Sequence, residues 1–386
     1  MSIQDFLTQY AARRPSRWHT PGHKGSLNPL DITELASGVF PGDYVQKAEQ
    51  KAADFYGAQS AWFLTGGSSM GVKAAILAAG GDIIAPKHCH ESVLHGAALA
   101  KVNLFQFDTG TGSTSSRKTF KPHLNLLKVK LPKFNIADPL RSIKDLLDTE
   151  WPKFDVESGD DYLYNVPTLR DVEYAVRQYP SVKAVILESP DYFGRCIDPD
   201  IPAYLRSRGK LFFCDAAHGA HFPAHSGLFP PSLSAVADVC NLSAHKTLDA
   251  YTQAAYLCVN DPHIAADMYD ILPMLGTTSP SYLLLASLET AIDAAIANKA
   301  EYERLYEDVQ AFKQEIPCLA NDDFTRLVVC ADVANLSGFE LCERLEAQNI
   351  FPELATDDYV VFIATPHETR EDFERLAKAI KKIAKT

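Results

Sequence analysis

The chain is short of basic residues: 37 Lys and Arg stand against 49 Asp and Glu among 386 residues, a formal charge of −12. A broad nucleic-acid-binding surface shows as a basic face, so this balance points to small-molecule partners instead. The sequence also lacks any apolar run near the ~20 residues that cross a bilayer; its most apolar helical stretch, Tyr282 to Ala297, is interrupted by Glu289 and Asp293. No signal-peptide core follows the N-terminus, where MSIQDFLTQYAARR carries Asp5 and no long apolar centre, so a cytoplasmic protein is expected. There is no CxxC pair among the eight cysteines, which sit largely in apolar runs such as LFFCD and AYLCV. They read as reduced core residues, not as a disulfide framework or a zinc site. What is present, 46% apolar and 22% charged residues, matches ordinary globular proteins and excludes disordered and fibrous classes.

From about Val45 to Val259 helical and strand patterns alternate. The segments VQKAEQKAADFYG, SMGVKAAILAAG and PTLRDVEYAVRQY are interleaved with the short apolar runs DIIAP, VKAVIL, KLFFCD, DVCNLS and AYLCV. Short apolar strands separated by helices predict a mainly parallel sheet covered on both faces. After Pro280 one long helix is expected over SYLLLASLETAIDAAIANKAEYERLYEDVQAFKQEI, followed by a strand-helix-strand-helix pattern that suits a smaller α+β lobe. The expected division is an N-terminal arm over 1–44, an α/β large domain over 45–262, and a connecting helix with a small C-terminal domain over 263–386. Residues 108–165 break the α/β rhythm. They open on DTGTGSTSSRKTFK and are locally basic, and they are expected to be an insertion, either solvated or serving as a lid or oligomer contact.

Ser243-Ala244-His245-Lys246 directly follows a predicted strand. A lysine there is commonly only a surface charge. Its spacing from Asp215, which ends the strand LFFCD about thirty residues earlier, changes the reading. A carboxylate at one strand end and a lysine at another is what pyridoxal phosphate requires: the lysine forms the Schiff base, and the carboxylate keeps the pyridine nitrogen protonated. The cofactor's phosphate needs a site too. Thr65-Gly66-Gly67-Ser68-Ser69 precedes a helix whose amides and hydroxyls suit an anion, although such a turn serves equally as a helix cap. His90 follows the strand DIIAP at the same sheet edge, placed to stack on the ring with Ala217 on the other face. Metal binding is not expected: His90 and His95 are five apart, rotated by about 140° on a helix rather than the ~40° of two ligands four apart.

These residues resemble a family, the pyridoxal-phosphate-dependent ornithine/lysine/arginine decarboxylases, in their shorter form. The resemblance runs in order over about 15–290 through His19-Thr20-Pro21-Gly22-His23-Lys24-Gly25, Gly67-Ser68-Ser69, His90-Glu91-Ser92, Tyr192-Phe193-Gly194, Asp215 to His221, Ser243 to Lys246, and Thr277-Thr278-Ser279-Pro280-Ser281-Tyr282. It implies an aspartate-aminotransferase type of fold, a homodimer or an assembly of dimers, and decarboxylation of an amino acid, a basic one, to its amine and CO2. It further implies that Lys246 is the Schiff-base lysine, that Asp215 pairs with the pyridine nitrogen, and that His90 stacks on the ring. Ser68, Ser69, Ser243 and His245 would surround the phosphate. His218 would lie near the reacting amino acid, and Thr278 and Ser279 would reach the site across a dimer interface.

The chain departs from the family at three places: Ala216 where Glu is common, Glu91 where a basic residue follows the stacking histidine, and Asp191 within Ser189-Pro190-Asp191-Tyr192. The acidic stretch after the N-terminal motif is replaced by SGVFPGDYVQKAEQ. Cofactor binding is untouched by these changes, whereas substrate identity is not. Transamination or elimination on the same scaffold, or cofactor binding without turnover, stays open on sequence. A basic substrate needs a carboxylate for its distal charge, and Asp191, Glu91 and Glu353 are the candidates.

Overall fold

A computed structural model describes residues 2–32, 42–110 and 165–385, and the expected insertion falls almost wholly outside them, at 111–164. The chain begins with α1 (Ile3–Ala12) and α2 (Gly42–Tyr56), then alternates β1 (Ser60–Leu64), α3 (Ser68–Ala79), β2 (Ile83–Pro86), α4 (Glu91–Ala100) and β3 (Leu104–Phe107). It resumes with α5 (Leu169–Gln178), β4 (Ala184–Glu188), α6 (Ile201–Ser207), β5 (Leu211–Asp215), β6 (Val239–Leu242), α7 (Ala244–Thr247) and β7 (Ala255–Val259).

These strands form one seven-stranded sheet in the order β1-β7-β6-β5-β4-β2-β3. The neighbours from β6 to β3 are parallel, and β7 alone runs against both of its partners. The sheet is thus mainly parallel, as the sequence predicts. Its strands are apolar on both faces because both faces are covered. Ile83, Ala85, Ile186, Phe213, Val239 and Leu257 face a layer built on α3 and α4. The alternate residues Ile84, Val185, Leu187, Phe212, Cys214 and Cys240 pack under α1, α2, α5 and α6. Each large side chain buried this way is worth about 1.5–3 kcal/mol. Ser2 and Asp5 close a capping box on α1, and Thr168 and Asp171 close another on α5, fixing where both helices start.

Beyond β7 come α8 (Pro262–Leu275), α9 (Tyr282–Ala297) and α10 (Lys299–Glu315). The single long helix expected after Pro280 is therefore two. They meet at Asn298, the C-cap of α9 and the N-cap of α10, and the bend there puts the helices in different cores. Tyr282, Leu285 and Ile292 of α9 pack with the large sheet, whereas Tyr302, Leu305 and Val309 of α10 pack with the C-terminal lobe. That lobe comprises β8 (Arg326–Cys330), α11 (Gly338–Glu346), β9 (Leu354–Ala355), β10 (Tyr359–Ile363) and α12 (Arg370–Ile383), with β10 central in an antiparallel sheet.

Candidate active site

One edge of the large sheet collects the functional side chains. Strands β4, β5 and β6 end there with Glu188, Asp215 and Leu242, and β7 starts there because it runs the other way. The carboxyl ends of parallel strands are where open α/β sheets bind ligands. Asp215 and Asn241 are register partners, and Ser243 and Lys246 follow immediately.

Lys246 Nζ lies 3.0 Å from His218 Nε2 and 5.1 Å from the centre of the Tyr192 ring. The His218 ring packs on Tyr192 at 4.1 Å between centres and is fully buried. Burial lowers the Lys246 pKa against the pull of Asp215, Glu188 and Glu353, which favours the nucleophilic amine. Burial, reinforced by Arg326 and Lys246, pushes His218 well below the ordinary histidine range and keeps its ring neutral.

Asp215 is buried, and the hydrogen bond it receives is a long one, 3.3 Å from the Ala217 amide. Burial raises its pKa, opposed by His90 and Lys246. Glu188 is its register partner on β4. Burial first, then the charges of Asp215 and Asp191, drive the Glu188 carboxyl well up. His90 caps α4, with Nδ1 accepting from the Ser92 amide at 3.1 Å, and its ring is exposed towards the edge. Ala216 and Ala217 are buried beneath the cluster.

The residues expected to hold a phosphate also come together. Gly67 precedes α3 with φ 74° and no side-chain cap, a left-handed conformation that glycine adopts without strain. Its amide is tied to Gln253 O at 2.9 Å, which joins α3 to the start of β7. Ser243 Oγ donates to Ser68 Oγ at 2.8 Å, and Ser69 follows in the first helical turn. His245 reaches Ala254 O through Nδ1 at 3.1 Å. Gly71 lets α3 sit close on β6, since a Cβ there would be 2.0 Å from Asn241 Oδ1. The residues fit a phosphorylated pyridine aldehyde. An amine, a buried carboxyl with a long hydrogen bond and a hydroxyl-bearing helix N-terminus stand at one sheet edge.

Other motif residues lie apart from this cluster in the single chain. Thr278 and Ser279 are exposed on the segment between α8 and α9, where the Ser279 amide bonds Thr277 Oγ1 at 3.1 Å. His19 and His23 are engaged in the N-terminal arm, His19 with Tyr10 at 2.6 Å and His23 with Asp31 at 3.0 Å. Among the described residues no three His, Cys, Asp or Glu side chains converge as a metal site.

Sequence reading missed Arg326, Asp323 and Glu188 as site residues. Arg326 is wholly buried, and Nη2 donates to His218 O at 3.1 Å and approaches His218 Nδ1 at 3.3 Å. Asp323 is equally buried, with Oδ1 near His221 Nε2 at 3.3 Å and accepting from Thr325 Oγ1 at 2.7 Å. Both come from the small lobe, and no local pattern ties them to His218 in sequence. The one signal for Glu188 was a charge inside an apolar strand run, VILES.

Residues 165–340 match the family model for the Orn/Lys/Arg decarboxylase major domain. Protein YaaO of Bacillus subtilis is 28% identical over 92% of this chain and 72% of its own length. A Bacillus subtilis arginine decarboxylase is 25% identical over 98% of this chain and 76% of its own. Lysine decarboxylase A from Pseudomonas aeruginosa superposes with a TM-score of 0.70 at 15% identity, covering 99% of this chain, which spans 59% of that structure's length. A structure of SPT with its PLP internal aldimine superposes with a TM-score of 0.62 at 15% identity, over 100% of this chain and 83% of that one. The fold is thus α/β and aspartate-aminotransferase-like. In its matched segment and across its relatives the chain is similar to the Orn/Lys/Arg decarboxylase family.

Proposed function

We propose that the protein is a pyridoxal-phosphate-dependent decarboxylase that converts a basic amino acid to its amine and CO2. The observation that carries this reading is the Lys246 amine, 3.0 Å from His218 and set with the buried Asp215 at one sheet edge. When bound, the cofactor supplies an electron sink for the pair released as CO2 leaves. Lys246 would hold it covalently, Asp215 would face its ring nitrogen, His90 and Ala217 would flank the ring, and Ser68, Ser69, Ser243 and His245 would hold the phosphate. Asp215 is suited to this because a buried carboxylate with one long hydrogen bond gains most from a nearby cation. His218, neutral and buried, holds a proton beside the reacting amine, and Tyr192 packs on its ring.

For the substrate's distal cation, Glu353 is favoured over the other two candidates. Its charge acts on Lys246, Arg326 and Tyr192, and its side chain is exposed. Asp191 is instead committed to Arg195, at 2.8 Å from Nε, and to the Phe193 and Arg195 amides, each at 2.9 Å. Glu91 sits in the first turn of α4, facing solvent.

Several coarser readings complete the proposal. Thr278 and Ser279, exposed in the single chain, would reach a second subunit's cleft in a homodimer or an assembly of dimers. The domain division is 1–44, 45–262 and 263–386, with the small lobe over the cofactor edge, a reading supported by the hydrogen bond from Arg326 to His218 O. No helix of the described residues is long and apolar enough to cross a membrane. All eight cysteines are free thiols, which supports a cytoplasmic setting.

The test is release of labelled CO2 from carboxyl-labelled arginine, lysine and ornithine with pyridoxal phosphate present. Matched CO2 and amine from at least one is expected. Keto-acid accumulation without CO2, or no turnover on any of the three, overturns the reading.

A further inference from the structure

We infer that Arg326 is a positioning residue that holds the His218 imidazole in its Nε2–H form, with that proton directed at Lys246 Nζ. This rests on reading the Lys246 cluster as the reaction site. A guanidinium carries donors only. Arg326 Nη2 lies 3.1 Å from His218 O and 3.3 Å from His218 Nδ1, and its two hydrogens can serve both. A proton on Nδ1 would set donor against donor, so Nδ1 must offer its lone pair. The neutral ring then carries its one proton on Nε2, 3.0 Å from Lys246 Nζ, and the lysine accepts as an uncharged amine. The downward shifts of both groups agree with this arrangement.

Arg326 has little freedom to do otherwise. Its side chain is 0% exposed, Nη1 donates to Thr325 Oγ1 at 3.2 Å, and Asp323 Oδ2 lies 3.7 Å away. Gly194 makes room for it, because a Cβ at that position would be 2.8 Å from Arg326 Cγ. Tyr192 covers His218 from the same loop. The tautomer of a large-domain histidine is therefore set by a side chain of the small lobe's first strand. His218 becomes a proton donor at Nε2, and the lobe contact is a condition of that role.

Long-range proton–nitrogen NMR correlation on the full chain, labelled with 15N-histidine and loaded with pyridoxal phosphate, reads the tautomer directly. His218→Asn identifies the signal. We expect an unprotonated Nδ1 and a protonated Nε2 in the wild type. Arg326→Met should move the proton towards Nδ1 and lower kcat on the order of 10²-fold, with KM changed about twofold or less. Arg326→Lys, which retains a donor, should recover part of both. A proton on Nδ1 of wild-type His218, a doubly protonated ring, or an unchanged signal in Arg326→Met overturns the inference. If Arg326→Met does not fold, the wild-type spectrum still decides. Wild-type protein that shows the expected tautomer but releases no CO2 would sink the decarboxylase reading and leave the tautomer assignment standing.

Discussion

Two buried aspartates on either side of the lobe seam behave in opposite ways. Asp323, in the small lobe, is 0% exposed, and burial alone would raise its pKa. His221, Arg326 and Thr325 reverse that and hold it at about 2. Asp215, at the sheet edge, is 6% exposed, and the hydrogen bond to its carboxylate is the 3.3 Å contact from Ala217, so burial wins and its pKa rises. Burial is nearly equal, so partners decide the sign. Asp323 has its charge neutralised within the protein. Asp215 has been left in want of a cation, and a structure that folds around such a group points to a ligand that brings one.

The comparison breaks most visibly at Lys246. Lys246→Ala should abolish turnover and the borohydride-stable attachment of the cofactor, read by intact mass, while the melting temperature of the cofactor-free chain changes little. Retained attachment would remove the sheet edge from the chemistry altogether. Next in size is Asp323→Asn, which leaves Arg326 buried beside a neutral amide. Breaking a buried ion pair from one side costs about 3–5 kcal/mol, so denaturant unfolding at pH 7 should show a large loss. The sign with pH follows from the depressed pKa. The contribution of Asp323 is fully present above the unfolded value of 3.8 and is lost as pH falls through about 2. The deficit of the variant should therefore shrink below pH 4. A deficit that stays constant to pH 2 would show that Asp323 acts through packing alone. Asp215→Asn should do the reverse. Turnover should fall on the order of 10²-fold, because the charge proposed to face the cofactor nitrogen is gone. Yet the cofactor-free chain should be no less stable at neutral pH, since a buried carboxylate that costs stability has been removed. Marked destabilisation of that chain would put Asp215 in the same class as Asp323.

The large sheet was legible because parallel strands buried on both faces must be continuous apolar runs, and five of its seven strands announced themselves so. Strand β1, SAWFL, lies outside those five runs, and β3, LFQF, carries a glutamine and sits at the sheet's edge, where one side has no strand partner among the described residues. The break at Asn298 was invisible because apolar periodicity runs on through it: each half satisfies a different core, and periodicity does not say which. At the site, Asp215, His218, Ser243 and Lys246 sit at strand ends, where position in sequence translates directly into position at the edge. Arg326 does not. Its role depends on how the small lobe folds back on the large one, a long-range contact with His218 that no local spacing encodes.

A third carboxyl sharpens the rule at its smallest scale. Glu49 of α2 is half-buried and accepts a hydrogen bond, 2.9 Å from the Phe63 amide of β1. Burial raises its pKa to about 7, and that single amide only partly opposes the shift. If the number of donors decides the sign, Glu49 belongs with Asp215 and not with Asp323. The linkage then runs opposite to that of Asp323. An unfolded glutamate releases its proton near 4.5 while the folded one keeps it to about 7, so stability falls as pH rises across that interval and levels off above it. Glu49→Gln keeps the acceptor for Phe63 and removes the titration. Its gain in unfolding free energy should therefore be small at pH 5 and on the order of 1 kcal/mol at pH 8. An equal gain at both pH values would mean that Glu49 is solvated well enough to ionise freely, and donor count would then fail as the explanation for the contrast between Asp215 and Asp323.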